Sequence, residues 1–185
     1  MDNKAVILID MLNDFVTGGL KSNRAAGTVP KLKKLVEAAH KHDVPVIYSN
    51  DAHYPQDIEV VEKWGKHAMK GTKGAKVVPE LKPAAGDFVV EKRTYSGFFD
   101  TGLDSLLRSL YKGEGVKTVI LAGLQTNICV MHTAADAFFR GYKIVVAKDG
   151  VETFTEEEQA QGLKYLEYAY NAKLVTVDQV IKEFG

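Results

Sequence analysis

The sequence predicts an α/β domain in which a mostly parallel sheet is covered by helices, and three observations carry that expectation. Short β-rich apolar runs alternate along the chain with longer stretches of helical period. Those runs are nearly continuous in apolar residues, as strands buried on both faces are, rather than alternating. The length of 185 residues suits a single domain over residues 1–185 with a full hydrophobic core.

Each element has its own signal. The first apolar run is Ala5-Val6-Ile7-Leu8-Ile9, followed by Leu32, Leu35, Val36 and Ala39 at the i, i+3, i+4, i+7 spacing of an amphipathic helix. A second run covers residues 44–48 and a third residues 88–90. Between the third and fourth runs, Leu103, Leu106, Leu107 and Leu110 repeat the helical spacing behind a candidate cap at Thr101. The remaining runs are 118–121, 143–146 and 173–175. Thr155-Glu156-Glu157-Glu158 reads as a capping box opening a helix through about residue 170, and residues 178–184 suit a terminal helix. Residues 54–86 break the rhythm with Pro55, Pro79, Pro83, several Gly and Lys, and no period. A loop excursion of that length in a compact domain is usually functional, and it is expected to roof a pocket.

Composition narrows the partners. Hydrophobic residues make up 45% and charged residues 26%, with 16 Gly and 5 Pro, which is the profile of a soluble globular chain. Lys plus Arg and Asp plus Glu are each 24, so the net charge of zero gives no call for nucleic acid or an anionic membrane as partner. Cys129 is the lone cysteine, which excludes an intramolecular disulfide. No apolar run approaches the ~18 residues of a membrane span, and the first residues lack a signal-peptide core, so a cytoplasmic location is expected.

In open α/β sheets ligands bind at the carboxyl ends of the strands, so the polar residues that follow each apolar run are the candidates. These are Asp10, then Ser49-Asn50-Asp51, then Glu91-Lys92, and the turn from Gly123 to Asn127 leading to Cys129. Taken singly, such an Asp is often a turn cap, such a Lys a solvated charge, and a lone Cys an inert buried thiol. Convergence of Asp10, Lys92 and Cys129 on one sheet edge is what points to chemistry. Val130, Ala134, Ala137 and Phe138 have helical spacing, which places Cys129 near a helix N-terminus, where the helix dipole lowers a thiol pKa and binds a developing oxyanion. Asp10 suits the proton acceptor, and Lys92 favours thiolate and carboxylate or simply pairs with Asp10. His132, three residues after Cys129, is a competing base, though a shared helix aims its ring back at a turn. His40 and His42 close a polar helix end and read as surface residues. Asp51-Ala52-His53 with His67 forms a second constellation, a divalent-metal site if the roof loop brings His67 near, and a plain loop otherwise.

These stretches resemble one family. Ile7-Leu8-Ile9-Asp10-Met11-Leu12-Asn13-Asp14-Phe15, Trp64-Gly65-Lys66-His67 with Gly71-Thr72, Glu91-Lys92-Arg93-Thr94-Tyr95-Ser96-Gly97-Phe98 and Ala122-Gly123-Leu124-Gln125-Thr126-Asn127-Ile128-Cys129-Val130 are similar, in order, to motifs of the isochorismatase-like cysteine hydrolases. That family includes nicotinamidases, N-carbamoylsarcosine amidases, and ureido or biuret hydrolases. The resemblance implies a three-layer α/β/α sandwich around a mostly parallel six-stranded sheet. It implies a catalytic triad of Asp10, Lys92 and Cys129, a cis peptide between Leu124 and Gln125, and an oxyanion hole from the N–H groups of Gln125 and Cys129. It further implies a small-molecule amide substrate, a thioester intermediate and a homo-oligomer.

Within the nicotinamidase branch, the resemblance implies a divalent metal, commonly zinc, on Asp51, His53 and His67, and a substrate pocket of Phe15, Trp64 and Tyr95. The expected reaction is then nicotinamide to nicotinate and ammonia. Two features depart from the usual nicotinamidase pattern: Ala52 in place of Trp, and the short step from Lys92 to Tyr95, which looks more like the isochorismatase and ureido-hydrolase branches. A ureido or carbamoyl amidohydrolase of N-carbamoylsarcosine, biuret or ureidoacrylate type, or an isochorismatase-type hydrolase, on the same triad therefore stands as the alternative. In that alternative Arg93 or the pocket loop would recognise a carboxylate.

Overall fold

The computed structural model describes residues 3–185, leaving Met1 and Asp2 of the chain outside the described residues. Six strands form one sheet in the order β3-β2-β1-β4-β5-β6, with every neighbouring pair parallel. They are β1 (Lys4–Ile9), β2 (Val46–Asp51), β3 (Phe88–Lys92), β4 (Thr118–Leu124), β5 (Lys143–Glu152) and β6 (Lys173–Val175). The helices are a single turn α1 (Asn13–Val16), then α2 (Val29–Lys41), α3 (Leu103–Ser109), α4 (Met131–Phe139), α5 (Glu156–Tyr170) and α6 (Val177–Lys182). None of the described helices is long and apolar enough to cross a membrane.

The strands are apolar throughout because each feeds two cores. Successive side chains alternate between faces, so Val6 and Leu8 of β1 join Tyr48, Ile120, Ala122 and Val145 on the face covered by α2 and α6. Ala5, Ile7 and Ile9 join Ile47, Val119, Leu121 and Val146 on the face covered by α3, α4 and α5. This is the expected three-layer sandwich. The order 3-2-1-4-5-6 reverses direction between β1 and β4, which opens a crevice at their carboxyl ends.

Element ends differ from the sequence expectation for local reasons. Strand β2 begins at Val46 rather than residue 44, since Pro45 lacks the N–H a ladder needs and the Val44 N–H closes the turn onto the Ala39 carbonyl. It then runs on through Ser49, Asn50 and Asp51, all buried. Strand β5 continues to Glu152 through the polar Lys148 and Asp149, past an irregularity in its register opposite Leu121 to Gly123. The capping box opens α5 as expected: Thr155 Oγ1 accepts from the Glu158 N–H at 3.1 Å, and the Thr155 N–H donates to Glu158 at 3.1 Å. A second box, Thr176 with Gln179, starts α6 at Val177. Leu110 has extended backbone and ends α3 at Ser109.

At Gly123 the neighbouring strand β1 leaves no room for a side chain. The glycine has φ of +110°, and a Cβ there would lie 2.0 Å from the Ile9 carbonyl oxygen. Gly123→Ala is expected to cost at least about 3 kcal/mol, since the backbone itself must shift, whereas Thr155→Ala should cost only about 1 kcal/mol. Urea denaturation of both variants measures the contrast, and equal costs would contradict the assigned packing.

Candidate active site and metal centre

Four strand ends meet at the crevice. Asp10 follows β1, Asp51 and Lys92 end β2 and β3 as register partners, and Cys129 lies in a wide turn (Thr126–Val130) that leads from β4 into α4. Asp10 has φ of +52°, a left-handed conformation that Asp tolerates better than most residues. It is held there on both sides: its N–H donates to the Ser49 carbonyl at 3.0 Å and its own carbonyl accepts from the Leu12 N–H at 2.7 Å. The peptide between Leu124 and Gln125 is cis, at the motif position where it was expected.

Lys92 is fully buried and lies between two buried carboxylates. Its Nζ sits 2.8 Å from Asp10 Oδ2, donates to Asp51 Oδ1, and lies 3.7 Å from Cys129 Sγ. The Asp51 N–H donates to Asp10 Oδ1 at 2.8 Å. Oxygen and sulfur atoms of Asp10, Asp51 and Cys129 lie within 4.8 Å of one another. Burial, and then the neighbouring Asp51 charge, raise the Asp10 carboxyl to about 6 against the opposing pull of Lys92. Asp51 stays below the usual carboxylate range because Lys92 and His53 outweigh its burial.

The thiol behaves differently from the sequence expectation. Burial pushes Cys129 well above the ordinary cysteine value, and Lys92 only partly offsets that. One ammonium between two carboxylates leaves a net negative cluster beside the sulfur, so the resting form is the neutral thiol. His132 is no rival base: it is exposed, its Nδ1 bonds to the Ile128 carbonyl at 2.8 Å, and its ring packs on Tyr95.

The second constellation assembles as well. The His53 and His67 rings lie 4.6 Å apart, and ligand atoms of Asp51, His53, Glu59 and His67 fall within 4.8 Å of one another, all four residues buried. His53 Nδ1 faces Asp57 Oδ2 at 3.2 Å, and Asp57, drawn down to about 2 chiefly by Arg93, is an acceptor only. His67 Nδ1 faces the Gly65 carbonyl at 2.8 Å, again an acceptor only. Both imidazoles therefore carry hydrogen on Nδ1 and turn Nε2 to the cluster. His53 Nε2 and Glu59 Oε1 are buried without a hydrogen-bond partner. Two imidazole nitrogens and two carboxylates, with buried atoms left unsatisfied, fit a divalent ion such as zinc.

The irregular segment is the roof, as expected, and α1 fastens it. The Asn13 side chain donates to the Lys73 and Lys76 carbonyls, Asp14 Oδ2 accepts from the Ala68 N–H at 2.8 Å, and His53 forms a bridge with Met69. Phe15, Trp64 and Tyr95 all line the pocket over Cys129, with Trp64 Nε1 donating to the Tyr95 hydroxyl at 3.1 Å. Sequence reasoning missed Phe154, which stacks on Trp64, together with Glu59 and Leu20. The pocket is tight, with a cavity volume of about 30 Å³. Arg93 is not among the described residues that line it, and its guanidinium is bound to Asp57.

Comparison with known proteins agrees with the geometry. The model of the isochorismatase domain matches residues 4–179. The crystal structure of N-carbamoylsarcosine amidase from Thermoplasma acidophilum is 41% identical, with a TM-score of 0.88 over 96% of this chain and 98% of that one. Pyrazinamidase of Pyrococcus horikoshii, crystallised in complex with zinc, is 27% identical with a TM-score of 0.85 over 94% of this chain and 99% of that one. Nicotinamidase 3 of Arabidopsis thaliana is 30% identical over 95% of this chain and 86% of its own length. With the isochorismatase domain model matching nearly its whole length, the chain belongs to the isochorismatase family.

Proposed function

We propose that the protein is a cysteine-dependent amidohydrolase of small uncharged amides, with nicotinamide, cleaved to nicotinate and ammonia, as the favoured substrate. The observation that carries this reading is the Cys129 thiol beside the Asp10 carboxylate, beneath an aromatic pocket bordered by the Asp51-His53-Glu59-His67 group. Asp10 takes the thiol proton as Cys129 Sγ attacks the amide carbon, and the N–H groups of Gln125 and Cys129 hold the oxyanion. Asp10 returns that proton to the departing nitrogen, releasing ammonia and leaving a thioester. Asp10 then accepts a proton from water as it attacks the thioester, and gives it to the departing sulfur to restore the thiol. Lys92 keeps the two carboxylates in place. Asp51, His53, Glu59 and His67 would hold a divalent ion, zinc being the best match, which when bound supplies a Lewis-acid site for a donor atom of the substrate.

A carbamoyl substrate is the second reading, favoured by the 41% identity to N-carbamoylsarcosine amidase. Against its carboxylate-bearing members stand the acidic groups Asp10, Asp51 and Glu59 and the absence of Arg or Lys from the described pocket lining.

Three outcomes are expected. Purified protein supplied with zinc should release ammonia from nicotinamide, and Cys129→Ala should lower kcat at least about a thousandfold while leaving the melting temperature within a few degrees; substantial residual turnover would remove the nucleophile. Exhaustive chelation should reduce kcat/KM at least about tenfold, with zinc restoring it, and unchanged kinetics in demonstrably metal-free protein would remove the metal from the reaction. Lys92→Met leaves Asp10 and Asp51 buried without a cation, so it should lower unfolding free energy by about 3–5 kcal/mol at neutral pH, as read by chemical denaturation.

A further inference from the structure

We infer that Asp57 and Arg93 are a positioning pair that fixes the tautomer and orientation of His53 and thereby sets the affinity of the four-residue group for a divalent ion. The inference rests on reading Asp51, His53, Glu59 and His67 as a metal site. Asp57 lies four residues after His53, and its side chain is only 3% exposed. Its carboxylate receives the Tyr54 N–H at 2.9 Å, faces His53 Nδ1 at 3.2 Å, and accepts from Arg93 Nε at 3.0 Å and from Arg93 Nη2. Arg93 is in turn fixed from above, its guanidinium 4.9 Å from the centre of the Tyr54 ring.

The arrangement dictates which His53 nitrogen is free. An ion-paired carboxylate accepts hydrogen bonds and donates none, so it selects the Nδ1–H form and leaves the Nε2 lone pair toward Asp51 and Glu59. A carboxylate behind an imidazole also makes Nε2 a stronger donor to a cation. Without Arg93, Asp57 would be a buried anion lacking its cation, free to swing away from the ring. Arg93 directly follows Lys92, so the end of β3 delivers one cation to Asp10 and Asp51 and the next to the residue behind the histidine. This assigns Arg93 a task at the metal group instead of at a substrate carboxylate.

The test measures metal binding on the full chain without substrate, so it is independent of whether nicotinamide is cleaved. Zinc affinity is read by competition with a chromogenic chelator, and the ligand field by the visible spectrum of the cobalt(II) protein. Asp57→Asn and Arg93→Met should each weaken zinc about tenfold to a hundredfold, with Arg93→Lys falling between, and Asp57→Asn should shift the cobalt(II) bands. A merely structural latch would move the melting temperature of metal-free protein but neither of these readings. If Asp57→Asn does not fold, Arg93→Met carries the comparison, because that side chain is 56% exposed. Folded variants with zinc affinity within about twofold of the original and an unchanged spectrum would overturn the pair. Original protein that binds neither zinc nor cobalt(II) would overturn the metal reading itself and the pair with it.

Discussion

The ammonium of Lys92 sits in the protein interior, and an unpaired charge there costs several kcal/mol. That cost constrains much of the site. Asp10 and Asp51 must both reach Nζ, which requires the ends of β1, β2 and β3 to lie level, and the register does align Ile9 with Ser49 and Asp51 with Lys92. Each carboxylate then has a second neighbour. Asp10 borders the Cys129 sulfur, while Asp51 borders His53, so one buried cation joins the two chemical halves of the crevice. With two acids to one base, the cluster keeps the thiol protonated and raises the Asp10 carboxyl to about 6, so that at neutral pH it is still a carboxylate able to take the thiol proton.

The roof is built on different principles. The segment between β2 and β3 has little regular structure, and it holds its shape through bonds to fixed elements rather than through a ladder of its own. Asn13 and Asp14 of α1 grip it from one side, and Arg93 holds Asp57 from the other. Because α1 also presents Phe15 to the pocket, where its ring lies 5.7 Å from that of His67, the same four residues position an aromatic wall and the loop that carries a metal-group histidine.

What the sequence revealed follows from where regular structure ends. Asp10, Lys92 and Cys129 were legible because each follows an apolar run whose direction fixes where its end points, and Asp51-Ala52-His53 because it continues such a run. Thr155 was legible because a capping box is local. Glu59 and Asp57 were not, since they lie in a stretch without period and their direction depends on distant residues such as Asn13 and Arg93. Phe154 was hidden by the polar Lys148 and Asp149, which interrupt the apolar pattern of β5 before the strand has ended. The thiol state was misjudged for a related reason. A helix terminus is visible in sequence, but the burial of Cys129 and the two charges that neutralise Lys92 are properties of the assembled sheet edge.

An account in which Cys129 attacks, Asp10 moves the proton and Lys92 holds the acids together makes a covalent intermediate its central claim. The most direct test is to mix the zinc-supplied protein with nicotinamide, quench in acid during turnover, and map the modified peptide by mass spectrometry. The account predicts an acyl group on the Cys129 sulfur that disappears as substrate is exhausted and is missing from Cys129→Ala. Sustained ammonia release by the Cys129→Ala protein, or an acyl group carried on a different residue, would contradict it.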